Sequence, residues 1–273
     1  MTKKFVTTSC GDIYYFTNII DTKRPTVLLL HGLTSNHTTW LYAMEYLAAR
    51  GINTIVPDYR GHGYSDKTRK RELYRIPFMR KDIDLIMRQE GVRQVHVVGY
   101  SYGSYLAIDF AIANPAMTKS LTLISTNHVD PFSYTMVPFL GPVCYWGLQA
   151  VSFLLRWQHR KQYYYYQHKP EASFGFWKST FKGYLTTPLS VNFWMLSESF
   201  RLGYRDSIRS IRCPTLIVHG VHDPYVRKAE LEAMRDKIPG SRIVSTKSTG
   251  HFIGTNAQEE IAKILLEFVT AAS

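Results

Sequence analysis

Short apolar runs recur along the chain, and most are separated by longer stretches whose apolar residues return every three or four positions. The runs at 26–30, 52–56, 95–98, 121–125, 215–218 and 243–246 have the length and near-continuous apolarity of strands buried on both faces. The stretches 38–50, 78–90, 102–113, 227–237 and 256–271 predict helices, with Gly51, Pro77, Gly91 and Pro115 punctuating several ends. Ahead of this alternation, residues 5–8 and 13–17 flank Cys10-Gly11-Asp12 and predict an opening antiparallel hairpin. The order specifies a mostly parallel α/β sheet. Ligands of such sheets bind beyond the carboxyl ends of the strands, so the residues directly after each strand carry most of the functional weight.

One interval breaks the rhythm. Residues 128–205 are rich in aromatics and hold no further strong strand, which predicts a helical cap inserted into a core made of residues 1–127 and 206–273. No linker divides the 273 residues, and a single domain of that size buries about 75% of its unfolded surface. Within the interval, residues 131–155 carry no charge for 25 positions, long enough to span a bilayer. Pro138, Gly141, Pro142 and Gly147 interrupt that stretch, and a span would separate the later strands from their sheet. A cap that covers a site or touches lipid is the better reading.

Composition narrows the classes. Apolar content of 45% and aromatic content of 14% are those of a folded protein, with no repeat or low-complexity tract. Cys10, Cys144 and Cys213 show neither metal-ligand spacing nor a disulfide framework, which points to a reducing, cytoplasmic compartment. The first ten residues lack the apolar core and small-residue cleavage site of a signal peptide and read as a strand. The net charge of +12 raises nucleic acid or anionic membrane as partners. The densest basic run, Lys67-Thr68-Arg69-Lys70-Arg71, has no interleaved aromatics and no recognisable nucleic-acid module, so no nucleic acid is expected. The interval 128–205 holds eight Lys or Arg against Asp130, Glu171 and Glu198, a local charge of +5 compatible with peripheral membrane contact or with a solvated rim.

The chemistry sits at the predicted strand ends. In Gly99-Tyr100-Ser101-Tyr102-Gly103 a buried run passes directly into a helical pattern, so Ser101 would stand on a sharp strand-to-helix turn as a nucleophile. Acyl transfer by serine needs a base, an acid that orients the base, and donors for the oxyanion. His251, between the last strand and last helix, is the candidate base, and Asp223, just after the run 215–218, is the candidate acid. Taken singly, the serine is a glycine-flanked turn, the histidine a surface residue and Asp223-Pro224 a turn opener. Together they give the order Ser, Asp, His on the expected loops. The backbone amides of Leu33, after His31-Gly32, and of Tyr102 are positioned as oxyanion donors. His31 reads as a packing residue, and His62, in a glycine-rich loop, as structural. His222 and Asp130 also lie near strand ends and fit the triad less well.

His31-Gly32, Asp58-x-Arg60-Gly61-His62-Gly63-x-Ser65, Gly99-x-Ser101-x-Gly103, Asp223 and Gly250-His251 make the chain resemble the alpha/beta-hydrolase superfamily across its whole core. The resemblance implies an α/β fold with a mostly parallel eight-stranded sheet flanked by helices, its second strand antiparallel, a helical cap after strand 6, and cofactor-free chemistry without metal. A serine at the nucleophile argues against dehalogenase and epoxide-hydrolase members, which use aspartate there. Ser104 replaces the second glycine of many relatives. The expected activity is hydrolysis of small-molecule carboxylic esters in the esterase and lipase manner. Tyr100, Trp146, Phe153 and Trp157, with the run 163–166, are candidates for an apolar acyl pocket, and equally for plain cap packing. Two alternatives stay open: a C–C bond hydrolase of a diketone-like substrate with the same triad, and a ligand-binding or receptor protein with little turnover. Oligomeric state is not legible.

Overall fold

The computed structural model describes residues 1–19, 21–68, 70–129, 139–158, 187–246, 250–251 and 255–273. Eight strands form one sheet: β1 (Thr2–Thr8), β2 (Gly11–Thr17), β3 (Thr26–Leu30), β4 (Asn53–Pro57), β5 (Val95–Tyr100), β6 (Thr118–Ile124), β7 (Thr215–Gly220) and β8 (Arg242–Thr246). Their spatial order is β1-β2-β4-β3-β5-β6-β7-β8. β2 runs antiparallel to both β1 and β4, and every later pairing is parallel. All positions of β3, β4 and β5 are buried, as strands covered on both faces require.

Seven helices are described: α1 (Leu41–Ala48), α2 (Ile76–Gln89), α3 (Tyr102–Ala113), α4 (Leu140–Leu154), α5 (Leu189–Ser199), α6 (Lys228–Lys237) and α7 (Thr255–Ala271). The core divides at the sheet. On one face Met79, Ile83 and Ile86 of α2, Leu106 and Phe110 of α3, and Leu231 and Met234 of α6 pack on Leu28, Val97 and Ile217. On the other, Met44 and Leu47 of α1 join Ile261, Leu265 and Phe268 of α7 against Leu29, Val98 and Val218. This three-layer arrangement buries both sides of the central strands.

Two helix starts differ from expectation. The stretch predicted from residue 38 begins as a 3-10 turn, His37–Trp40, because the Asn36 side chain accepts from the Thr38 amide and tightens the entry. α2 begins two residues early and takes Pro77 into its first turn, where no backbone donor is needed.

Between β6 and β7, within the interval expected to form a cap, α4 and α5 pack on each other. Ser152 Oγ donates to the Ser190 carbonyl at 2.7 Å and Gln149 Nε2 to Ser197 Oγ at 2.8 Å. Asp130, a candidate acid, and the aromatic run 163–166 lie outside the described residues. Among the described residues no helix is long and apolar enough to cross a membrane.

Candidate active site

Ser101 sits between β5 and α3 with φ 51° and ψ −119°, a conformation an L-residue adopts only under constraint. The constraint is visible on both sides. A Cβ on Gly99 would stand 2.5 Å from Ser104 Cα, and one on Gly103 would stand 2.5 Å from the carbonyl oxygens of Leu30 and His31. Neither backbone can retreat, so only glycine fits. Ser104 is fully buried and its hydroxyl donates to the Gly99 carbonyl at 2.7 Å, which ties the helix to the strand behind the turn. That bond is the physical role of the residue that departs from the glycine of many relatives.

The structure brings Ser101, His251 and Asp223 together from three separate loops. Ser101 Oγ lies 3.1 Å from His251 Nε2, and His251 Nδ1 lies 3.0 and 3.2 Å from the two Asp223 oxygens. Asp223 Oδ1 also accepts the amides of Tyr225 and Val226 at 2.8 and 3.2 Å. Burial by itself pushes the Asp223 carboxyl up. The bond and charge of His251 and the two amides outweigh it, holding the group below the usual carboxylate range. An ionised, fully buried carboxylate therefore faces the imidazole, whose side chain stays 16% exposed.

Leu33 lies in the loop after β3, and Tyr102 is the first residue of α3, directly after Ser101. Tyr100 was expected to line a substrate pocket. It is instead buried, with its hydroxyl donating to the His251 carbonyl at 3.0 Å, so it holds the histidine loop. Trp146 and Phe153 are corrected as well: they are 69% and 51% exposed on the outer side of α4, because Gly141, Tyr145 and Ser152 form its buried side. The Trp157 side chain lies outside the described residues.

Of the other strand-end histidines, His222 is exposed, while His31 and His62 have structural surroundings. His31 and His62 are fully buried, and desolvation is the main reason that their pKa values fall to about 3 and about 4. In the loop after β4, Asp58 accepts from the His37 amide at 2.7 Å and the Tyr64 amide at 3.0 Å, and Arg60 donates two hydrogen bonds to the Asp82 carboxylate, each 2.7 Å. The glycine-rich motif thus builds a rigid wall. Sequence reasoning missed Tyr225, whose ring meets His251 edge-on at a centroid distance of 4.9 Å. A tyrosine two positions after an aspartate carries no motif that would have singled it out.

A strained serine turn at the centre of an eight-stranded α/β sheet, faced by histidine and aspartate loops, defines a class. The chain has the alpha/beta-hydrolase fold, and residues 25–150 match the family described as alpha/beta hydrolase fold. Among curated proteins it is similar to epoxide hydrolase 3 of Xenopus tropicalis, at 23% identity over 91% of this chain and 72% of that protein. Epoxide hydrolase B of Mycobacterium tuberculosis is 34% identical over 44% of this chain, but the match spans only 31% of that protein. Among solved structures, an esterase from Exiguobacterium antarcticum superposes with a TM-score of 0.74 at 21% identity, covering 95% of this chain and 96% of the other. At that identity the likeness establishes the fold.

Proposed function

We propose that this chain is a serine hydrolase that cleaves carboxylic esters through an acyl-enzyme. The observation that carries the reading is the continuous relay from Ser101 Oγ through His251 to buried Asp223, at 3.1 and 3.0 Å. His251 Nε2 takes the hydroxyl proton as Ser101 Oγ attacks the ester carbonyl. The amides of Leu33 and Tyr102 meet the oxyanion, and His251 returns the proton to the leaving alcohol. Water, activated by the same histidine, then releases the acid. Asp223 fixes the imidazole tautomer and stabilises its charged form.

The relatives named epoxide hydrolases raise a second reading, and bond chemistry argues against it. Opening an epoxide with a carboxylate gives an ester that water can cleave, whereas opening it with Ser101 would give an ether that the same site could not turn over. The serine therefore favours acyl substrates. The test is hydrolysis of a chain-length series of chromogenic esters by purified protein. Turnover that disappears in Ser101→Ala supports the proposal; turnover of epoxides or diketones with none of any ester rejects it.

Peripheral contact with an anionic lipid surface belongs to the same proposal. Phe139, Val143, Trp146 and Leu154 form an exposed apolar stripe on uncharged α4 and at its start. The Arg156 and Arg71 guanidinium groups lie 3.5 and 5.7 Å from the Phe153 ring. Apolar residues that enter the interface beside cations that meet lipid headgroups are what such a surface needs.

A further inference from the structure

Three tyrosines around Ser101, one ending β5 and two in the first turn of α3, carry hydroxyls whose surroundings differ. The Tyr100 hydroxyl is bonded to the His251 carbonyl and that of Tyr105 to Asn127 Oδ1 at 2.8 Å. The Tyr102 hydroxyl is buried and has no hydrogen-bond partner among the described residues. Tyr102 directly follows the nucleophile, and burial together with the nearby Glu198 carboxylate keeps its hydroxyl protonated.

Glu198 belongs to α5, and so does the second group left over. Trp194 Nε1 and Glu198 Oε1 are both buried and without a hydrogen-bond partner among the described residues, one helical turn apart. Arg75 meets both residues, with its Nε 3.7 Å from Glu198 Oε2 and its guanidinium 5.8 Å from the Trp194 ring. Buried polar atoms in folded proteins are almost always paired, so these three, linked by the charge of Glu198 acting on Tyr102 and by the contacts of Arg75 with Trp194 and Glu198, call for a partner from outside the chain.

Their chemistry selects that partner. Trp194 Nε1 only donates, the Tyr102 hydroxyl donates or accepts, and the Glu198 carboxylate accepts. A cationic ligand is disfavoured, because Arg75 and Arg201 already act on Glu198 and the chain carries a net charge of +12. A neutral hydroxyl satisfies both kinds of group at once. We infer that Tyr102, Trp194 and Glu198 form a polar subsite for a free hydroxyl on the substrate, so that the preferred esters are monoesters of polyols or esters of hydroxy acids.

This inference rests on the ester-hydrolase reading for its substrate but is testable without turnover. Binding to the Ser101→Ala protein is measured by calorimetry for matched pairs: a 2-hydroxyethyl against a propyl ester of one acid, and a 3-hydroxybutyrate against a 3-methylbutyrate ester of one alcohol. The hydroxylated member of at least one pair should bind about tenfold tighter, the pair identifying whether the hydroxyl sits on the alcohol or the acyl part. That ratio should fall to about 1 in both the Tyr102→Phe and the Glu198→Gln forms of the Ser101→Ala protein. Equal affinities within both pairs, or a ratio unmoved by both substitutions, overturns the inference while leaving ester hydrolysis standing. A clear ratio in a protein that hydrolyses no ester has the opposite meaning.

Discussion

At the scale of single residues, the strand-to-helix turn at Ser101 is a packing problem solved by two glycines and Ser104. Gly103→Ala would drive a methyl into the carbonyls of Leu30 and His31, and it should cost about 3 kcal/mol or more, read as a large fall in the urea midpoint or as insoluble protein. Tyrosine hydroxyls give a finer comparison. Tyr105→Phe removes one partner of a buried bond to Asn127 and should cost about 1 kcal/mol. Tyr102→Phe removes a hydroxyl that has no partner among the described residues, so the melting temperature should stay level or rise. A loss in Tyr102→Phe as large as in Tyr105→Phe would contradict the assignment. The meeting of Ser101, Asp223 and His251 was legible because the three follow predicted strands in the order Ser, Asp, His. Tyr100, expected in the pocket, shows the limit: its place on the last turn of β5 was legible, but its hydroxyl answers to a carbonyl 151 positions away, and no local pattern encodes that.

At the scale of elements, the strands were the most legible features because burial on both faces leaves a continuous apolar signature. β3 spans the predicted residues 26–30, and α3 the predicted 102–113. Helix starts were less legible, since α1 and α2 depend on the Asn36 cap and on tolerance of Pro77. The uncharged run 131–155 was visible, yet which side of α4 packs inward is decided by its contacts with α5, and that decision turned Trp146 and Phe153 outward. The outward stripe makes a prediction for α4. Trp146→Ser and Leu154→Ser together should lower sedimentation with phosphatidylglycerol vesicles several-fold, with little effect on neutral phosphatidylcholine vesicles or on the folded protein's melting temperature. Equal binding to both vesicle types, or none by the unsubstituted protein, would reject lipid contact.

At the scale of the whole molecule, the sheet holds strand-end loops from distant parts of the sequence around one point, and its burial of histidines sets a pH response. His31 and His62 have folded pKa values of about 3 and about 4, against an ordinary 6.5. As the pH falls from about 6.5 toward 4, the unfolded chain takes up protons that these buried rings refuse, so stability declines. Each histidine contributes a slope of up to about 1.4 kcal/mol per pH unit in that window. The urea midpoint should fall steadily between pH 6.5 and 4.5; a midpoint constant over that range would contradict the burial of both rings. The central claim is that the same fold activates Ser101. Its most direct measurement is intact-protein and peptide mass spectrometry after treatment with a fluorophosphonate. A single adduct on the peptide containing Ser101, lost in Ser101→Ala and strongly slowed in His251→Ala, is the predicted result. Folded protein that stays unmodified, or is modified equally in Ser101→Ala, would contradict it.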